Sequence, residues 1–134
     1  MIFYGMDGCI NCAFLFPLLS LADRENLFEK VDAIHFKTKD EYKSEIIKIL
    51  KEYDSLTNNI PSPLILIQKV EGGDKYLVKP ETIYESAVEL TDSLNHMGDS
   101  AVIQYMDGEL DLSVLFVNLL IKMSSNLLLP IKKG

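Results

Sequence analysis

The sequence predicts an α/β fold: a four-stranded mixed sheet flanked by helices, with a C-terminal strand-and-helix extension. Three observations carry this. A short apolar strand, an apolar helix and a second strand follow one another from Ile2 to Phe36, which is a βαβ unit and calls for a parallel pair. A continuous apolar run, Leu64-Ile65-Leu66-Ile67, is joined through a glycine-bearing turn to Lys75-Tyr76-Leu77-Val78, which is an antiparallel hairpin. Amphipathic helical patterns cover the intervals between and after these strands.

Taken in order, Ile2 to Tyr4 reads as a buried strand and Gly5-Met6-Asp7-Gly8 as a turn. From Cys9 to about Ala22 the pattern is helical and apolar nearly all round, with Phe14, Leu15, Phe16, Leu18, Leu19 and Leu21. Pro17 falls inside it and predicts a kink, because proline lacks the N–H of the helical ladder. Val31 to Phe36 is the second strand. Thr38-Lys39-Asp40-Glu41 is a capping-box pattern opening a helix with Tyr42, Ile46, Ile49, Leu50, Tyr53 and Leu56 on one face. After the hairpin, whose turn is Glu71-Gly72-Gly73-Asp74, Pro80 suits a first helical position. That helix turns Ile83, Ala87, Leu90 and Leu94 inward and stops near Gly98. Ala101 to Met106 reads as a further strand or extended piece, Asp107-Gly108 as a second hairpin turn, and Leu110 to Leu129 as an apolar helix. The expected organisation is a body of residues 1–97 with residues 98–134 packed on it. The apolar end also offers a surface for a second copy of the chain or for a partner.

Composition bounds the function. The chain has 134 residues and a formal net charge of −7, and its only basic cluster is Lys132-Lys133. Nucleic acid and anionic membrane surfaces both need clustered cations, so neither is an expected partner. No basic, apolar leader opens the chain, and its longest apolar run falls short of the roughly 20 residues of a spanning helix. A cytoplasmic, reducing setting is the expectation.

The two cysteines then stand out. Staples would be spread to close long loops, whereas Cys9-Ile10-Asn11-Cys12 puts both in one turn. Cys9 opens a helix, where unpaired backbone N–H groups and the helix dipole favour a thiolate, the form that attacks disulfides. Asp7 opposes that effect, so mild activation is expected. Cys12 lies one turn on, on the same face, where it can resolve a mixed disulfide on Cys9. The same pair is also half of a zinc site, with His35 and His96 the remaining candidates, or an idle feature of a binding scaffold. His35 itself reads as an ordinary strand residue.

The element order with C-x-x-C at the first strand-to-helix junction resembles the thioredoxin-like superfamily over residues 1 to about 97. Pro17 matches a helix-kinking proline of thioredoxins, and Ser62-Pro63 before Leu64 matches the position of the family's cis-proline. The start at the redox strand is similar to glutaredoxins. The dipeptide Ile10-Asn11 differs from those of either group, and Phe3 stands where thioredoxins carry a buried acid. The resemblance implies a thiol–disulfide oxidoreductase whose catalytic residues are Cys9 and Cys12. It implies no cofactor beyond the redox-active Cys9–Cys12 disulfide and no metal. Ser62, Pro63, Ile10 and Asn11 would touch the substrate, a disulfide-bearing protein or small molecule, and the reductant is left unidentified. The alternative is a thioredoxin-fold binding or adaptor module without redox turnover.

Overall fold

The computed structural model describes residues 1–28, 30–53, 60–68 and 72–128. Leu56, Asn59, Glu71, Leu129 and Lys132-Lys133 of the sequence reading lie outside them. The chain runs β1 (Ile2–Met6), α1 (Ile10–Leu15), α2 (Pro17–Arg24), β2 (Asp32–Phe36), α3 (Lys39–Glu52), β3 (Leu64–Gln68), β4 (Lys75–Val78), α4 (Pro80–Met97), α5 (Ala101–Met106), α6 (Ser113–Ser124) and β5 (Leu127–Leu128). It is an α/β protein with an open, mixed, five-stranded sheet in the order β2-β1-β3-β4-β5. β1 and β2 are parallel, as the βαβ unit requires, and the other neighbouring pairs are antiparallel.

Four expectations are corrected. The sheet has five strands, because β5 adds to β4 through Leu77–Leu128 and Val78–Leu127. Ala101–Met106 is a helix, not a strand, and Asp107-Gly108 ends that helix instead of turning a hairpin. Its buried residues, Ala101 and Tyr105, are four apart, while Ile103 between them faces out. Leu112 precedes α6, so the predicted final helix begins later than expected.

β3 explains the layering. Its uninterrupted apolar run is buried on both faces, as a strand with helices above and below must be. Ile65 and Ile67 join the larger core with Leu15, Leu18, Leu90, Leu94, Leu119 and Met123 from the helices on that side. Leu64 and Leu66 join a smaller core with Tyr42, Ile46 and Leu50 of α3. Past Met97, Phe116, Leu119, Leu120 and Met123 lie in the larger core.

Local signals work as read. The Thr38 hydroxyl accepts from the Glu41 N–H at 3.2 Å and starts α3. The backbone reverses at Gly98, with φ of 116°, and ends α4. Pro17 divides the first helix into α1 and α2.

Tyr42 ties α3 to the segment that leads into β3. Its hydroxyl, on a side chain 1% exposed, donates to the Pro61 carbonyl at 2.5 Å. Tyr42→Phe leaves that carbonyl without its donor. It is expected to cost about 1–2 kcal/mol in urea unfolding, with no change of fold by circular dichroism.

Alkali is expected to act through the same class of group. Burial pushes the Tyr42 and Tyr105 hydroxyls well above the usual tyrosine range. Tyr53 is pushed up to about 12 from 10.0 by burial first, then by Glu52, Tyr4 and Asp74. The fold thus holds these protons more tightly than the open chain does. Their stabilisation is whole below pH 10 and declines as pH rises past it. Unfolding free energies from urea titrations between pH 9 and 12 should fall above pH 10, with a slope approaching about 1.4 kcal/mol per pH unit from Tyr42 alone.

Candidate functional site

Cys9 is the N-cap of α1, in extended backbone, and its Sγ accepts the Cys12 N–H at 3.1 Å. One of the orphan amides at the helix start is thereby aimed at sulfur, which is how a helix start favours negative charge there. The cysteines are joined as a disulfide, with Cα atoms 5.2 Å apart. They differ in access: Cys9 is half-buried, whereas Cys12 is 5% exposed and belongs to the larger core. An approaching molecule therefore meets Cys9 first.

The sheet presses close behind them. Gly5 lies in β1, not in the turn where sequence reading put it. A Cβ at Gly5 would sit 3.1 Å from the Phe3 ring and 3.7 Å from Cys12 Sγ. The contact with the sulfur would be an ordinary one, and it is the Phe3 ring that a side chain at this position would crowd.

Ser62-Pro63 is a cis peptide bond. Pro63 is buried and Ser62 half-buried, immediately before β3. β3 pairs with β1 through Tyr4–Leu64, and carrying that register one residue further brings Pro63 alongside Gly5. The topology thus collects Cys12, Gly5 and Pro63 at one end of β1. Ile10 is 71% exposed beside the sulfurs, and Asn11 is half-buried.

Sequence reading weighed Asp7 as a charge near Cys9 and His35 as a zinc candidate or an ordinary strand residue, but missed that the two pair with each other. The His35 Nε2–H donates to Asp7 Oδ1. Parallel pairing sets Gly5 beside His35, and the strand's alternation puts His35 on the face shared by Ala33, Phe3 and the cysteines. The alternation was readable, but the register that aligns residues 28 apart was not. Together these side chains line a cavity of about 450 Å³. Phe3, Phe16, Met6, Ala13 and Ala33 supply its apolar walls, the sulfurs one margin, and Asp7 and His35 another.

Compared with known proteins, the chain matches no family model, no curated protein and no solved structure.

A metal reading finds no support in these side chains. Among the described residues, no group of three or more His, Cys, Asp or Glu side chains is placed to hold an ion. His96 lies late in α4, where its Nδ1–H donates to the Asp92 carbonyl at 2.8 Å. Among the described residues no helix is long and apolar enough to cross a membrane.

The Asp7 carboxylate opposes negative charge on Cys9, and its bond to His35 offsets part of that. In the reduced protein, Asp7→Asn is expected to raise the iodoacetamide alkylation rate at pH 7 by about two- to fivefold. The gain is modest because both side chains are largely solvated and screened.

Proposed function

We propose that this chain is a thiol–disulfide oxidoreductase of thioredoxin-like architecture, working through Cys9 and Cys12. The observation that carries the reading is the asymmetry of the pair. The accessible Cys9 Sγ caps α1 and accepts the Cys12 amide, while Cys12 is buried behind it. A nucleophile needs access and a stabilised thiolate, and a resolving thiol needs proximity and shelter from other partners.

The exchange is balanced. In the dithiol form the Cys9 thiolate attacks one sulfur of a substrate disulfide. A Cys9–substrate S–S bond forms, the substrate's S–S bond breaks, and the departing thiolate takes a proton. Cys12, as a thiolate, then attacks Cys9 Sγ, the Cys9–Cys12 bond forms, and the second substrate thiolate leaves and is protonated. Two electrons pass from protein to substrate. A dithiol reductant of the cell would restore the starting form. Pro63 lacks an N–H, so Ser62 would present the backbone groups that an extended substrate pairs with.

The test is stoichiometric. Protein reduced with dithiothreitol and freed of it should reduce the disulfides of insulin, one per protein, with loss of both protein thiols. Retention of both thiols against insulin and cystine would remove the reading. A second reading, a binding module, is favoured by one observation. The α4–α6 surface carries a trough of about 760 Å³ lined in part by Tyr84, Val88, Met97 and Leu115. Its signature would be a stable complex that survives Cys9→Ser.

A further inference from the structure

The cavity beside Cys9 lies toward β2, whereas Pro63 lies toward β3, so the sulfurs have an apolar hollow on the side opposite the proline. Phe16 stands half-exposed over it, edge-on to Phe3 with ring centroids 5.9 Å apart. A half-exposed aromatic at the edge of an apolar hollow is a surface that gains from being covered. About 450 Å³ is within the range of ligand-sized pockets and more than one large side chain occupies.

Charge narrows the occupant. Among the described residues no Lys or Arg lines the cavity, and the Asp7 carboxylate stands on its margin, so an anionic group next to the reacting sulfur meets repulsion that only the His35 ring, already paired with Asp7, offsets. Its neighbour β2 is the outer strand of the sheet, so among the described strands only β1 pairs with it. That leaves backbone groups along Asp32–Phe36 for an extended peptide.

We infer that the hollow between Phe16 and β2 is a specificity pocket for the peptide side chain flanking the cysteine that Cys9 attacks, and that it selects large apolar side chains over small or acidic ones. This rests on the redox reading above. The occupied pocket holds the peptide sulfur at Cys9, so the Cys9–peptide bond forms while the sulfur on the other half of the disulfide leaves as a thiolate and takes a proton. Cys12 then displaces the peptide thiol from Cys9 as before.

The experiment uses the full chain, reduced with dithiothreitol and desalted, in single turnover at pH 7. Its substrates are three end-blocked peptides, each with one cysteine held as the mixed disulfide with 2-mercaptoethanol. The cysteine is flanked by Leu and Phe in the first, Gly and Ser in the second, and Glu in the third. The first should react on the order of tenfold faster than the second, the discrimination an apolar pocket provides between side chains of different size. The third should be the slowest. Ala33→Phe, a change at an exposed strand position that fills the hollow, should bring the first-to-second ratio close to one. Phe16→Ser, which removes a wall, should lower the same ratio. Equal rates for the first two peptides with wild-type protein overturn the pocket and leave the redox reading standing. So does a wild-type ratio that neither variant changes. Failure to reduce any of the three overturns the redox reading and the pocket with it.

Discussion

A chain ending at Met97 is expected to lose its cooperative fold. The elements beyond that point supply Ala101, Tyr105, Phe116, Leu119, Leu120 and Met123 to the larger core, each 8% exposed or less. Full burial of a large apolar side chain contributes about 1.5–3 kcal/mol. Five such residues outweigh much or all of the 5–15 kcal/mol by which a domain of ordinary stability stays folded, roughly speaking. Removal also takes away the helices that pack on α2 and α4, and takes β5 from the edge of β4. The truncated chain should unfold without a sigmoidal urea transition and bind a hydrophobic dye. A chain of residues 1–97 with a sharp transition near that of the full protein would show that the first four strands and their helices suffice.

The second large effect is chemical. Cys9→Ser should abolish disulfide reduction, because serine offers no thiolate at neutral pH and the only other sulfur nucleophile is buried. Cys12→Ser should fail differently. Attack by Cys9 still proceeds, but nothing displaces the substrate, so a mixed disulfide on Cys9 accumulates and shows in intact mass as the protein plus one substrate half. The amide of residue 12 still points at Cys9 Sγ in that variant, so the first step keeps its stabilising hydrogen bond. Equal adduct formation by the two single variants would remove the distinction between attacking and resolving thiols, and an adduct on Cys9→Ser alone would reverse it.

Much of this was legible because it is local. Thr38 caps, Gly98 stops, Pro17 breaks and Leu64–Ile67 is apolar throughout, and each acts within a few residues of itself. The fold class and four of the five strands follow from such signals, as does the nearness of Cys9 to Cys12. What escaped is set by distant partners. Ala101–Met106 carries Val, Ile and Tyr, residues that favour strands when judged alone. It is helical because Ala101 and Tyr105, one turn apart, both reach the core, and Tyr105 packs its ring against Phe14 and Phe116. β5 has two residues, too few for any periodicity. Asp7 and His35 meet only once the parallel register is known. Gly5 was legible as a glycine but not as a strand residue packed against Phe3 and Cys12.

The break at Pro17 leaves α1 only six residues long, and a helix that short cannot hold its own position. It is clamped instead. At its start the β1 backbone lies flush against Cys12, and at its far end the Tyr105 hydroxyl from α5 donates to the Phe14 carbonyl. The last carbonyls of a helix have no partner within it, so this bond settles one that would otherwise need water. The short helix is thus a mounted part, bolted to the sheet on one side and to the chain's final third on the other. On the redox reading proposed above, the sulfur–sulfur bond would open and close on a helix tied at its far end by Tyr105, so the chain's final third also helps to place the two sulfurs.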